Sequence, residues 1–271
     1  MPQEMRFAPL FSGSSGNSIY IGCGNTHILT DAGMSGSRIT AELAKIGVTP
    51  DMLSGIIATH EHSDHIKGVG ILSRKYDLPI YATEGTWQGM DKLIGAVSAK
   101  NRRVLTPEQD FYIGDLNVTP FATPHDANEP IGLSFACGCA RFSIATDIGC
   151  VRAGWLNHVL GSDAVLLESN YDPDMLKAGS YPYDLKRRIL SNRGHLCNED
   201  AGKCAAELAR AGARHIILGH LSKENNFPEL ALRTVELILR QNGIDPESDL
   251  DLRVALRDET TGLFALSSEM H

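Results

Sequence analysis

Short runs of β-branched and apolar residues, bounded by turn-forming residues, recur along the chain. Ser18-Ile19-Tyr20-Ile21, His27-Ile28-Leu29-Thr30, Gly55-Ile56-Ile57-Ala58, Phe142-Ser143-Ile144-Ala145 and His215-Ile216-Ile217-Leu218 are each predicted to be strands. Apolar positions at helical spacing occupy residues 37–46, 198–211 and 227–242, and Gly47, Gly212 and Gly243 follow them as left-handed stops. Tight turns join the early strands, and later strands alternate with helices. That order predicts an α/β (α+β) architecture with mixed sheets covered by helices.

The two halves echo one another. Leu29-Thr30-Asp31-Ala32-Gly33 returns as Ala145-Thr146-Asp147-Ile148-Gly149, and Gly55-Ile56-Ile57-Ala58-Thr59-His60 returns as His215-Ile216-Ile217-Leu218-Gly219-His220. Each half therefore carries one strand ending in Asp and a later one ending in His. The repetition suggests a duplicated βαβ-like unit whose strand ends converge on one edge, where the site is expected.

Composition narrows the class. At 271 residues, with 42% hydrophobic and 21% charged residues, the chain can bury a large core and is expected to fold throughout as one domain, residues 1–271. No apolar run approaches the ~20 residues that cross a bilayer, and the N-terminus leads into no signal-like apolar segment, so a soluble, cytoplasmic protein is expected. The six cysteines form no CxxC pair and are read as reduced, mostly buried thiols. A net charge of -8 argues against non-specific coating of nucleic acid, although bound divalent cations would offset part of it locally.

The strand over residues 55–58 runs into His60-Glu61-His62-Ser63-Asp64-His65, three imidazoles and two carboxylates within six positions. A solvated polar turn is the plain alternative. Clustered His and Asp at ligand spacing instead favour a bound cation. The string resembles HxHxDH, the signature of the metallo-β-lactamase superfamily, and the remaining superfamily motifs follow in order: Asp31 at the first, His125 in Thr123-Pro124-His125-Asp126 at the third, Asp147 at the fourth and His220 at the fifth. The resemblance implies a four-layer αββα sandwich of two mixed sheets with pseudo-duplicated halves. It also implies two divalent metal ions, one on His60, His62 and His125 and one on Asp64, His65 and His220, with Asp147 bridging. Asp31 would stand behind them, fixing a ligand imidazole by a hydrogen bond. Imidazole and carboxylate donors suit Zn²⁺ or Mn²⁺, and Fe²⁺ also fits, since no thiolate selects zinc. A His at position 62 weighs against the flavodiiron redox proteins of the superfamily, which carry Glu there.

Paired cations make hydroxide available near neutral pH and stabilise charge on the attacked group, which serves phosphodiesters, thioesters and lactams alike. Discrimination comes from residues around them. His195, in Gly194-His195-Leu196-Cys197-Asn198, resembles the His that tRNase Z-type phosphodiesterases place beside the scissile phosphate, where it would act as a general acid. The rival reading has His195 merely lead into a helix capped by Asn198. Arg187, Arg188 and Arg193, with Lys186, form a compact basic run that serves either phosphate or solvent. Residues 12–18, with Ser14, Ser15 and Asn17, form either an anion-cradling loop or a plain hairpin.

Residues 7–226 resemble the YycJ/WalJ branch of the superfamily, whose members are implied to be 5′-to-3′ DNA exonucleases linked to mismatch repair. Asp64 and His195 are then the expected catalytic residues, and Ser14, Ser15, Asn17, Arg187, Arg188, Arg193 and Asn198 the candidate substrate contacts. That resemblance favours DNA over RNA; residues 147–220 are too short for the β-CASP insertion of RNase J-type enzymes, and without a long tRNA-gripping arm specific tRNA maturation is less expected. The alternatives are a cyclic phosphodiesterase or glyoxalase II-like thioesterase of the same fold, and a non-catalytic binding module. The intact ligand set argues against the last.

Overall fold

The computed structural model describes residues 4–266. Strands β1 (Met5–Phe11), β2 (Ser18–Cys23) and β3 (Thr26–Thr30) form an antiparallel meander. After α1 (Gly36–Lys45) the chain adds β4 (Gly55–Ile57), passes through α2 (Ser63–Ile66) and α3 (Val69–Tyr76), and continues with β5 (Ile80–Thr83), α4 (Glu84–Ile94) and β6 (Arg102–Leu105). β3 to β6 are parallel. The second half repeats the scheme. β7 (Phe111–Ile113), β8 (Leu116–Ala122), β9 (Ile131–Cys137) and β10 (Ala140–Ala145) are antiparallel, and α5 (Ala153–Val159) leads to β11 (Ala164–Glu168). Two short helices, α6 (Pro173–Ala178) and α7 (Tyr183–Ile189), then α8 (Asn198–Arg210), separate β11 from β12 (His215–Gly219). Finally α9 (Pro228–Gln241) precedes β13 (Asp251–Val254), and β14 (Phe264–Leu266) returns to pair with β1.

Two seven-stranded mixed sheets result, ordered β14-β1-β2-β3-β4-β5-β6 and β13-β12-β11-β10-β9-β8-β7. Alternation of side chains across each strand builds three apolar layers. In β11, Leu166 points into the layer between the sheets, with Phe7, Ile28, Phe135 and Phe142, whereas Val165 and Leu167 face the outer layer with Trp155, Ala205, Leu208 and Val235. On the opposite outer face Leu29 and Ile56 meet Ile39, Leu43, Leu72, Trp87 and Met90. This is the expected four-layer sandwich. The predicted helices and strands are present, their ends differing by a residue or two, and Gly47, Gly212 and Gly243 take the expected positive φ.

Matching the two sheet orders strand for strand pairs β3 with β10 and β4 with β11, so β12 answers to β5. The Asp31 and Asp147 strand ends are thus true equivalents. The resemblance of the His60 and His220 strands is not a positional one, because β11 lies between β10 and β12 and ends in Glu168.

The reading of all six cysteines as reduced is corrected at one pair. Cys23, ending β2, and Cys137, ending β9, face each other across the sandwich and form a disulfide, with Cα atoms 6.6 Å apart. That spacing lies within the reach of a bridge. Cys139, Cys150, Cys197 and Cys204 are free. Among the described residues no helix is long and apolar enough to cross a membrane.

Candidate metal centre

The centre lies where strand ends from both sheets meet. Asp31 follows β3, His60 is the third residue after β4, Asp147 follows β10, Glu168 ends β11 and His220 follows β12. His62 caps α2, and that turn of helix carries Asp64 and His65 to the same point. Asp31, Asp147 and His220 sit in the left-handed region, with φ of 58°, 58° and 55°. Such backbone costs an L-residue on the order of 1 kcal/mol and persists where surrounding contacts impose it. Close approach matters as well. A Cβ on Gly33 would stand 1.7 Å from the Asp64 carbonyl oxygen, so only glycine lets the Asp31 strand end pass against α2.

Hydrogen bonds fix the imidazoles. Asp31 accepts from the Thr59 amide and hydroxyl, both at 2.8 Å, and from His65 Nδ1 at 2.8 Å. Because the Thr59 hydroxyl donates to Asp31, its oxygen is left to accept from His60 Nδ1 at 3.1 Å. His125 Nδ1 donates to the Gly194 carbonyl at 3.0 Å. In these three rings the proton on Nδ1 turns Nε2 inward, and in His60 and His125 it leaves Nε2 a bare lone pair. His60 Nε2 is 3.1 Å from His62 Nδ1, His65 Nε2 is 3.5 Å from Asp147 Oδ2, and His125 Nε2 is 3.6 Å from Asp147 Oδ1. His220 Nδ1 lies 3.1 Å from Asp147 Oδ2, and its Nε2 lies 4.0 Å from Asp64 Oδ2.

Ligand-type atoms therefore gather in sets within 4.8 Å of one another: His60 with His62 and His125, Asp64 with His65 and His220, and Asp147 with His60 and His65. His125 Nε2 is buried and has no hydrogen-bond partner among the described residues. An inward lone pair without a donor is costly unless a cation takes it, and the donor set of imidazole and carboxylate fits a divalent ion.

Charge follows the same geometry. Burial drives His60 well below the ordinary imidazole range, and it also lowers His125, with Asp147 opposing it in part. For His65 burial is outweighed by Asp147, Asp31 and Asp64, which push it up to about 10. For His220 burial is outweighed chiefly by Asp147, raising it to about 9. Asp147, despite burial, is held well below its ordinary range by the surrounding imidazoles, His220 foremost. The carboxylates thus draw positive charge to His65 and His220, whereas burial disfavours it on His60 and His125.

His195 stands at the rim, its side chain 17% exposed, with its ring centroid 5.1 Å from that of His125 and 5.3 Å from that of His220. Glu168, fully buried, was missed by sequence reasoning. It accepts from His195 Nδ1 at 2.7 Å through Oε1, and from the amides of Ile148 (2.7 Å) and Leu196 (3.3 Å) through Oε2. The available signal was a carboxylate closing the otherwise apolar run Ala164-Val165-Leu166-Leu167, a strand-end position like those of Asp31 and Asp147.

Several of the expected substrate contacts are engaged with other groups of the protein. Asn198 neither caps a helix with its side chain nor faces the site; it is buried, accepting from Ser169 Oγ at 2.7 Å and Asn226 Nδ2 at 2.8 Å. Asn17 clips its own loop, accepting from the Gly13 amide at 3.0 Å, while its Nδ2 lies 3.0 Å from His65 Nε2. Arg188 pairs with both Asp126 oxygens, and Arg193 donates to the carbonyls of His125 (3.0 and 2.9 Å) and Ala127 (3.3 Å). Both brace the loop carrying His125. Burial disfavours the Asp126 carboxylate, yet Arg188 holds it below its ordinary range. Ser14, Ser15 and Arg187 remain exposed.

A two-sheet sandwich with His and Asp ligands at its strand ends defines a class of metal-dependent hydrolases. A profile of the Beta-lactamase superfamily domain matches residues 26–221, and the chain belongs to that superfamily. It is 41% identical to Exodeoxyribonuclease YycJ of Bacillus anthracis over 239 residues, covering 88% of this chain and 90% of the relative. It is 40% identical over 260 residues to Exodeoxyribonuclease WalJ of Streptococcus pneumoniae serotype 2, strain D39, covering 95% and 97%. In fold it is similar to the metallo-beta-lactamase fold protein YhfI of Bacillus subtilis, at 16% identity and a TM-score of 0.72 over 97% of this chain and 100% of that one.

Proposed function

We propose that this chain is a metal-dependent exodeoxyribonuclease that removes nucleotides from the 5′ end of DNA. The observation carrying the proposal is the convergence of five imidazoles and two carboxylates in adjoining sets of ligand-type atoms, one of them holding the buried Nε2 of His125, which has no hydrogen-bond partner among the described residues. The full-length similarity to two exodeoxyribonucleases supports the substrate class.

His60, His62 and His125 would hold one divalent cation and Asp64, His65 and His220 a second, with Asp147 shared. Zn²⁺ or Mn²⁺ suits these donors, and Fe²⁺ is compatible with them. Bound there, such ions supply an ionised water near neutral pH and offset charge on the attacked phosphate. Asp31 and Thr59 keep the ligand rings in the tautomer that leaves Nε2 bare. Glu168 holds the proton on His195 Nδ1 and steadies positive charge on that ring. His195 Nε2, free at the rim, donates a proton to the departing 3′-oxygen.

The test is cleavage by purified protein loaded with Mn²⁺ or Zn²⁺. DNA labelled at either end should shorten from its 5′-phosphorylated terminus, and bis-p-nitrophenyl phosphate should be hydrolysed faster than a thioester. Cleavage that persists in Asp64→Ala or His60→Ala, or thioester turnover with inert phosphodiester, overturns the assignment.

A further inference from the structure

One cationic side chain beside the centre has no role in the account so far. Arg257, just after β13, lays its guanidinium against Gly13, where a Cβ would stand 2.8 Å from Nη1 and 3.4 Å from Cγ. Nη1 is buried without a hydrogen-bond partner, and the partly buried side chain makes no hydrogen bond or ion pair with any described residue. Its anionic neighbour Asp258 is engaged elsewhere, by Arg38 at 3.6 Å. Glu224 and Tyr181 are the other titratable groups close enough to act on it. Burial draws its pKa below that of a free arginine. A guanidinium removed from water without an anion in return is expensive, and an arriving phosphate would repay that cost with paired N–H donors.

The surroundings suit that ligand. Gly13 opens a turn closed by the Gly16 amide, which donates to the Gly13 carbonyl at 3.0 Å, and the two central residues, Ser14 and Ser15, are exposed. No bond from either hydroxyl to a described residue is formed. The turn abuts the centre from two sides: the Gly13 amide donates to Asn17 Oδ1 at 3.0 Å, and the His220 amide donates to Ser12 Oγ at 2.9 Å. Both the turn and Arg257 lie outside residues 26–221, the span of the superfamily domain.

We propose that Arg257 and the Gly13–Gly16 turn form a receptor for a DNA phosphate next to the one being cut. This rests on the exonuclease reading and adds to it a subsite that holds the strand in register. The ligand is either a terminal phosphomonoester or an internal phosphodiester, which share the same oxygens.

Binding of single-stranded oligonucleotides with a 5′-phosphate or a 5′-hydroxyl, followed by fluorescence anisotropy across a KCl series, tests it with metal-loaded full-length protein and is paired with steady-state cleavage. Arg257→Gln should raise Kd and KM about 10-fold or more, move kcat less than about threefold, and flatten the slope of log Kd against log salt by roughly 0.7. Arg257→Lys should recover the slope. An effect confined to the 5′-phosphate strand identifies the terminal phosphate, and an equal effect on both strands identifies an internal one. Ser15→Asp, on the exposed turn, should weaken binding by repulsion even if Arg257→Gln does not fold. Wild-type affinity and slope in Arg257→Gln, or in Ser15→Asp, overturn the proposal, as does a fall in Tm and kcat with the slope unchanged. Wild-type protein that cuts DNA while these variants behave identically sinks the subsite alone; wild-type protein that neither binds nor cuts DNA sinks the exonuclease reading with it.

Discussion

Replacing Glu168 by glutamine changes one buried oxygen to an amide nitrogen, and the structure dictates which. Oε2 serves the Ile148 and Leu196 amides and Oε1 serves His195. An NH₂ turned toward the two amides would leave two buried donors unpaired, at about 1–3 kcal/mol each. The glutamine oxygen therefore stays with the backbone, and its NH₂ faces His195 Nδ1. That ring must then accept at Nδ1 and lose the carboxylate that steadied its positive charge. A wrong tautomer in an imidazole that shuttles protons costs up to about 10⁴-fold, and loss of a general acid about 10²–10⁴-fold. Glu168→Gln should lower kcat on DNA within that range, with Tm falling only a few degrees and metal content unchanged. Kinetics, differential scanning calorimetry and elemental analysis read these three quantities, and ¹⁵N imidazole spectra read the tautomer of His195. A kcat within threefold of wild type refutes the role given to His195 and Glu168, and loss of metal would make Glu168 a ligand instead.

Asp31→Ala removes the acceptor of His65 Nδ1 and of Thr59, and metal affinity should drop about 10–100-fold in a competition titration while the fold persists. Asn198→Ala should cost about 2 kcal/mol or more in denaturant unfolding with KM unchanged, since its bonds to Ser169 and Asn226 are internal; a raised KM at unchanged stability would restore it as a substrate contact. Chelation should abolish nuclease activity, and Mn²⁺ or Zn²⁺ should restore it in wild type but not in His60→Ala; activity that survives thorough chelation contradicts a metal mechanism.

Legibility in the sequence followed local physics. Strands with alternating burial or a continuous apolar run, such as β4 and β12, carry their period in the residue types. β6 does not, because Arg102-Arg103-Val104-Leu105 is an exposed edge strand. β8 hides behind Pro120, which the rules for strands disfavour, and α4 is diluted by Gly85 and Gly89. Ligand-type residues were visible as motifs because several share one strand end or turn. Glu168 and Arg257 stand alone in sequence and acquire meaning only through the sheet order and the packing against Gly13. For Arg188, Arg193 and Asn198 residue type suggests a donor, and only the fold shows which protein groups that donor meets.

The most direct measurement is anomalous diffraction from crystals grown with manganese or zinc, paired with metal quantification on the same protein. The account predicts two peaks per chain, each ringed by three of the named side chains and both within reach of the Asp147 carboxylate. Density at neither position, with His125 Nε2 bonded instead to some protein group, would contradict it.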